Sequence, residues 1–182
     1  GGQLNYLDEP VDALVRRLAG LPFETQPGEA WVYGFSTDVL GAVIEQASGM
    51  ALDEFLQNRI FAPLGMPDTC FFLPLEKEDR LVANHQLRDG DSPVRASDES
   101  PSWDGQGAYV RGPRRLFSGN GGLLSTAHDY ARFLQMLLNG GELDGARIAR
   151  RQASNANVAY ADPRQQLHGF GDVGRGGARQ DD

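Results

Sequence analysis

The chain has 182 residues, 40% of them hydrophobic, and a formal net charge of -8 at pH 7. This length fits one ordinary domain or part of a larger one, and the composition predicts a globular chain that buries a core. The acidic balance disfavours a nucleic-acid partner, because binding to phosphates needs clustered positive charge. No apolar run approaches the roughly 20 residues of a membrane helix, so no membrane span is expected.

The sequence leaves compartment and oligomeric state unassigned. Its first residues, Gly-Gly-Gln-Leu-Asn-Tyr, show neither the basic nor the apolar region of a signal peptide, which slightly favours the cytoplasm over the periplasm. Cys70 is the only cysteine, so no intrachain disulfide is predicted and the redox environment is unconstrained.

The first predicted helix covers residues 8–19. Asp8 is a candidate N-cap, Pro10 fits the first turn, and Gly20 suits a left-handed C-terminal position. The apolar side chains recur at helical spacing and form one face: Val11, Leu14, Val15 and Leu18.

A second helix is predicted to begin at Ser36 or Thr37, whose hydroxyls can cap it, and to end at Gly49. Its apolar stripe predicts a buried face made of Val39, Leu40, Val43, Ile44 and Ala47. A third helix is predicted from Leu52 to Phe61, followed by a proline-bracketed turn and a short strand at Cys70–Leu73.

The middle of the chain, residues 89–114, is rich in Asp, Ser, Pro and Gly and is predicted to be a long surface loop. A glycine-interrupted strand and turn are expected over Leu116–Thr126. The glycines of its segment Gly119–Gly122 suggest close approach of backbone rather than a phosphate cradle. A strong helix follows up to Asn139, where Gly140 and Gly141 end it.

The composition changes after Ile148. Residues 1–148 are interpreted as a partial domain, and residues 149–182 as an irregular tail dominated by Gln, Arg, Gly and Asp. A disordered tail is one interpretation. A tail translated out of frame from a GC-rich gene is the other.

Metal and cofactor signatures are missing from the sequence. There is no His-x-x-x-His and no cysteine pair, so no metal is predicted, and no cofactor is expected. No Gly-x-Ser-x-Gly nucleophile elbow occurs either, which argues against an α/β-hydrolase.

The most informative segment is Pro-Gly-Glu-Ala-Trp-Val-Tyr-Gly-Phe-Ser-Thr-Asp-Val-Leu-Gly, residues 27–41, which sets Tyr33 just before the second helix. It resembles the tyrosine motif of serine hydrolases with the β-lactamase and penicillin-binding-protein fold, and most closely the family VIII carboxylesterases. This block continues to Gly49, and three further blocks match in the same order: Leu52–Leu73, Phe117–Thr126 and Asp129–Ile148.

The resemblance implies an α+β architecture: a mostly helical fragment of the β-lactamase/transpeptidase-like fold with short antiparallel strands. In this family the serine of a Ser-x-x-Lys motif attacks an acyl carbonyl, and the lysine and the motif tyrosine move its proton. Tyr33 is therefore the predicted catalytic residue. Without the resemblance, a tyrosine that packs at a helix N-terminus would explain it equally well.

The resemblance also implies which residues meet a small-molecule ester or amide substrate. The β-lactamases usually carry asparagine two residues after the tyrosine, where this chain has Phe35. An apolar residue there resembles the esterase branch, which predicts short-chain carboxylic esters as substrates. Phe35 and Trp31 are the candidate substrate-binding residues. A β-lactamase or a D-alanyl-D-alanine carboxypeptidase of the same fold remains the alternative.

The family nucleophile is missing. Lys77 is the only lysine, and the residue three positions before it is Pro74, so no Ser-x-x-Lys exists in this sequence. The chain is interpreted as a central fragment of the enzyme that is inactive alone, and a non-catalytic remnant or binding module is the alternative from another class. Such a fragment is expected to expose apolar helix faces that the whole fold would cover, such as Val39, Val43 and Ile44, and to aggregate or be only partly ordered.

Overall fold

The computed structural model describes residues 8–26, 28–87, 92–97 and 107–150. These residues form two compact units. The first unit combines the chain up to Ala62 with Pro67–Thr126, and the second combines Pro63–Met66 with the chain from Ala127 onward. The N-terminal and C-terminal stretches and most of residues 88–106 lie outside the described part.

The first helix, α1, runs over Val11–Leu18 and packs against α2, which runs over Ser36–Ser48. The residues predicted to cap the two ends of α1, Asp8 and Gly20, are wrong. Pro10 rather than Asp8 is the N-cap, since its extended backbone already sets the first turn, and the C-cap Ala19 is right-handed, so no left-handed glycine ends the helix. Val11 and Leu14 are buried, as the apolar spacing predicts.

Helix α2 has the predicted span but not the predicted buried face. Phe35 is its N-cap, and Gly49 ends it with a φ of 69°, a left-handed conformation that glycine adopts without a Cβ clash. The buried residues are Asp38, Gly41 and Ala42. Four of the five residues of the predicted buried stripe are exposed: Val39, Leu40, Val43 and Ala47. Gly41, which lacks a Cβ atom, and Ala42, whose side chain is a single methyl group, allow that face to approach its neighbours closely.

Helix α3, Leu52–Leu56, continues into a π-helical turn, Gln57–Phe61, so the predicted third helix is confirmed with a wider last turn. Leu52 forms a core cluster with Phe71 and Phe117, whose rings meet edge-on at 5.3 Å. Three partly buried side chains pack against this cluster: Ile44, Leu56 and Phe72. A short 3-10 helix follows at Leu75–Arg80.

The antiparallel pairings are short. Strand β1, His85–Leu87, pairs with β2, Pro93–Arg95, and helix α4 covers Gly107–Arg111, so the predicted loop 89–114 contains regular structure. The predicted strand at Cys70–Leu73 is reduced to one bridge, in which Cys70 and Leu124 exchange both backbone hydrogen bonds, at 3.0 and 2.8 Å. This bridge is also the only pairing inside the described segment Leu116–Thr126.

The second unit is built on helix α5, Ala127–Leu138, which ends at Gly140 and Gly141 with φ values of 74° and 95°. Strands β3, Glu142–Leu143, and β4, Ala146–Arg147, form a hairpin around Asp144 and Gly145, whose positive φ values suit such a turn. Arg132 supports the unit by donating to the Leu64 carbonyl and to the Asp144 carboxylate.

None of the helices in the described ranges is long and apolar enough to cross a membrane. The predicted tail, 149–182, falls outside the described residues except for Ala149 and Arg150.

Candidate functional site

Tyr33 lies on the loop that leads into α2, residues 28–35, which we call the tyrosine loop. Gly28 begins it with a φ of 88°, and Phe35 ends it as the N-cap of the helix. Tyr33 is 74% exposed and Trp31 is 85% exposed, whereas Phe35 is half-buried. The phenol is therefore accessible to a group that approaches from outside this unit.

Two of the three predicted site residues contact each other. The ring centroids of Trp31 and Tyr33 lie 6.2 Å apart with 48° between the planes, within the usual range for an aromatic pair. No ring contact joins Phe35 to either of them in the described part of the chain. Trp31 and Tyr33 thus form a small exposed aromatic surface, and the roles of all three residues stay predictions.

A buried carboxylate holds the first turn of α2. Asp38 is fully buried, and its Oδ1 accepts a hydrogen bond of 2.5 Å from Ser118 Oγ. Ser118 Oγ in turn accepts the backbone N–H of Asn120 at 3.1 Å. The other oxygen, Asp38 Oδ2, is buried and has no hydrogen-bond partner among the residues that the structure describes. Negative charge in the first turn is favoured by the unpaired N–H groups of a helix N-terminus.

A second set of contacts joins the same two segments. Thr37 Oγ1 donates to Asn120 Oδ1 at 3.2 Å. A Cβ atom built on Gly119 would lie 2.0 Å from the Thr37 carbonyl oxygen, so only glycine fits there without a shift. The predicted close approach of backbone within Gly119–Gly122 is confirmed at Gly119. We call this set of five residues the α2 anchor: Thr37, Asp38, Ser118, Gly119 and Asn120.

Sequence reasoning singled out neither Asp38 nor Ser118. An acidic residue in the first turn of a helix is ordinarily predicted to be exposed to solvent and stabilised by the helix dipole. A serine before a glycine run is ordinarily predicted to lie in a turn. Eighty positions separate the two residues. The only available signal was the glycine run, which predicted the approach but not its partner.

Two pockets lie within the first unit. One, of about 340 Å³, is lined by α3 and the π-helical turn together with Cys70, Arg114 and Phe117. The other, of about 240 Å³, is lined by Asp68, Arg80 and Leu124 among others. Neither of these pockets is lined by Trp31, Tyr33 or Phe35, so neither supplies the predicted substrate site.

Two other reactive side chains are not poised for nucleophilic chemistry. Burial raises the pKa of the Cys70 thiol, which keeps it protonated and weakly nucleophilic at neutral pH. Lys77 Nζ donates to Asp68 Oδ1 at 2.6 Å and to the Pro67 carbonyl at 3.2 Å. The Arg80 guanidinium and this ammonium group hold the pKa of Asp68 well below its usual range. The only lysine is thus part of an ion pair.

Within the described ranges, no three His, Cys, Asp or Glu side chains lie together in a way that could hold a metal ion. The expectation that the protein needs neither metal nor cofactor stays a prediction.

Comparison with known proteins identifies the family. The beta-lactamase family model matches residues 2–175. The chain is 37% identical over 179 residues to Esterase EstB of Burkholderia gladioli, which covers 92% of this chain and 44% of that protein. It is 36% identical over 125 residues to Lovastatin esterase of Penicillium rubens, covering 69% and 30% respectively. The chain therefore spans less than half the length of these relatives.

The fold comparison agrees. The chain superposes on EstCE1, a hydrolase with promiscuous acyltransferase activity, with a TM-score of 0.65 and 24% identity, over 83% of this chain and 40% of that one. The chain belongs to the beta-lactamase family. The resemblance read from the Tyr33 block and the expected α+β fragment of this fold are both confirmed. The family match includes most of residues 149–182, and the out-of-frame origin of that tail stays a prediction.

Proposed function

We propose that the complete protein is a serine hydrolase that cleaves carboxylic esters of small molecules through an acyl-serine intermediate. The observation that carries the proposal is the 37% identity to Esterase EstB over 92% of the chain. A second relative, Lovastatin esterase, also acts, by its name, on an ester of a small molecule.

Tyr33 is proposed to relay the proton of the nucleophilic serine. A free phenol has a pKa of about 10 and is a weak base at neutral pH, and a neighbouring cation would favour its phenolate. Lys77 is paired with Asp68 and is unsuited to that task. Since this chain spans 44% of Esterase EstB, we propose that the serine and the activating lysine lie in the part of the protein that this sequence does not contain.

Trp31 and Phe35 are proposed to contact the substrate. The exposed indole of Trp31 offers an apolar surface beside Tyr33. Phe35 offers an apolar ring at the position where the asparagine of the β-lactamases offers an amide, which would favour a β-lactam carbonyl. Apolar side chains at both positions suit the acyl or alcohol part of a simple ester.

A β-lactamase or D-alanyl-D-alanine carboxypeptidase activity is the second candidate, which the name of the matching family favours. The two are separated by comparing kcat/KM of the complete protein on p-nitrophenyl butyrate and on a chromogenic cephalosporin. We expect the ester to be the better substrate. A higher kcat/KM on the cephalosporin would overturn the ester assignment.

The role of Tyr33 is tested with Tyr33→Phe in the complete protein. Loss of a proton relay typically lowers kcat by about 10²–10⁴-fold. Tyr130→Phe is the matched control, because Tyr130 is likewise exposed, at 58%, and lies in helix α5. We expect the control to keep its kcat within twofold.

A fluorophosphonate probe separates the hydrolase from a non-catalytic protein. Stoichiometric labelling of a serine in the complete wild-type protein supports the hydrolase. A well-folded complete protein that neither labels nor hydrolyses either substrate would show that the family membership reflects ancestry alone. Equal loss of kcat in Tyr33→Phe and Tyr130→Phe would remove Tyr33 from the mechanism.

A further inference from the structure

Two aromatic side chains of the tyrosine loop lie on the protein surface. Tyr33 and Trp31 are both exposed and touch each other, so neither ring fixes the loop against the core. The loop joins regular structure where it enters α2. There the Phe35 carbonyl accepts the first helical hydrogen bond, from Val39 N–H at 3.0 Å. The position of Tyr33 therefore depends on how firmly the first turn of α2 is held.

The α2 anchor holds that turn from two directions. Asp38 reaches inward to Ser118, and Ser118 also binds the backbone of Asn120. Thr37 reaches the Asn120 side chain, and its carbonyl packs on Gly119. A carboxylate taken out of water is strongly destabilising unless it is hydrogen-bonded, so the bond that Asp38 accepts from Ser118 matters more than an exposed bond would.

We propose that Asp38 is a positioning residue for Tyr33: through Ser118 it fixes the start of α2, and with it the loop that presents the phenol. The catalytic part of this inference rests on the proposed function. Proton relays depend on placement, and a shift of about 1 Å in a reacting group can lower the rate by about 10²-fold.

Three variants separate positioning from other effects. Ser118→Ala removes the donor to Asp38 and the acceptor for Asn120 N–H. Asp38→Leu keeps the number and branching of the side-chain heavy atoms but cannot accept a hydrogen bond. Asp38→Asn keeps an oxygen for Ser118 and changes only the other oxygen, which has no partner within the described part of the chain. If the hydrogen bond is what matters, Asn restores function and Leu does not.

Ser48→Ala is the matched control. Ser48 lies at the other end of the same helix, and its Oγ accepts the backbone N–H of Met50 at 3.2 Å, the same local pattern that Ser118 forms with Asn120. It lacks the buried carboxylate partner. We therefore expect Ser48→Ala to change kcat less than twofold.

Two measurements are made on the complete protein. The first is kcat and KM on p-nitrophenyl butyrate, for which we expect Ser118→Ala and Asp38→Leu to lower kcat by about 10–100-fold with KM within threefold. We expect Asp38→Asn to stay within fivefold of the wild-type kcat. The second is hydrogen–deuterium exchange by mass spectrometry in peptides covering 29–37, with 127–138 as the internal reference.

We expect exchange in 29–37 to accelerate in Ser118→Ala and Asp38→Leu while exchange in 127–138 is unchanged. Unchanged exchange in 29–37, or equal acceleration in both segments, would overturn the proposal. So would Asp38→Asn behaving like Asp38→Leu in both readouts. If the wild type hydrolyses no ester, the proposed function fails, and the exchange experiment still decides whether Asp38 orders the tyrosine loop.

Discussion

At the scale of single residues, the tyrosine loop and the α2 anchor have opposite environments. Tyr33 is 74% exposed, and Asp38, five positions later, is fully buried. The exposed residue could be predicted from its sequence block, since a loop before an amphipathic helix is a local pattern. The buried one could not, because its burial depends on Ser118, which lies eighty positions away.

Gly119 provides a direct test of the anchor. In Gly119→Ala the new methyl group would meet the Thr37 carbonyl oxygen at 2.0 Å, and that atom belongs to backbone, which cannot move cheaply. We expect the free energy of unfolding of the complete protein to fall by about 1–3 kcal/mol, as for overpacked cores. Urea unfolding curves measure this change.

Gly121→Ala is the control for Gly119→Ala. A Cβ atom on Gly121 would meet nothing within 4 Å, and no left-handed φ is required there. We expect the free energy of unfolding to change by less than about 1 kcal/mol, in either direction. Equal losses of stability in the two alanine variants would show that the close approach of the backbones does not require glycine at position 119.

At the scale of elements, one helix caps the next. Glu45 in α2 accepts the Leu52 N–H, the first of α3, at 2.9 Å through Oε1. Ala51, the N-cap of α3, has no side-chain cap of its own, so Glu45 supplies the missing acceptor. This hydrogen bond spans the turn around Gly49 that joins α2 to α3, and so it stabilises that turn.

The pH dependence of this cap has a defined sign. Burial raises the pKa of Glu45 above its ordinary 4.5, despite the hydrogen bond from Leu52, which lowers it. Folding therefore favours the protonated form of Glu45. The stability that this preference contributes is fully present below about pH 4.5 and is lost as the pH rises through the pKa of Glu45 in the folded state. Glu45→Gln keeps the acceptor without the charge. We expect its stability relative to wild type to increase from pH 4 to pH 7, as measured by urea unfolding.

Glu45→Ala is the comparison that isolates the hydrogen bond. It removes both the acceptor and the titrating carboxyl group, so we expect a loss of about 1 kcal/mol at pH 4, as for a lost helix cap, and a smaller loss at pH 7. A Glu45→Gln variant whose stability relative to wild type falls from pH 4 to pH 7 would contradict the assigned sign.

At the scale of the whole molecule, an apolar surface runs along α2 beside the tyrosine loop. Val39, Leu40 and Val43 are 37%, 56% and 54% exposed. The prediction that this fragment exposes an apolar helix face is thus confirmed for Val39 and Val43, whereas Ile44 packs against the core cluster. Contiguous exposed apolar side chains favour association.

We therefore expect the 182-residue chain to self-associate, and Leu40→Glu with Val43→Glu to shift it toward monomer in size-exclusion chromatography with light scattering. Val82→Glu is the control, since Val82 is 86% exposed but lies outside α2. Monomeric wild-type chain, or an equal effect of the control, would show that the α2 face does not drive association.

The sequence by itself determined helices α1, α2, α3 and α5, the end of α2 at Gly49 and the family, because helical periodicity, glycine conformation and the Tyr33 block are local patterns. Only the tertiary structure decided which face of α2 is buried and what binds Asp38. Apolar spacing defines a stripe on a helix, but burial depends on what packs there. Here Leu52 and Gly119 lie closest to Gly41, on the face that the apolar stripe does not mark.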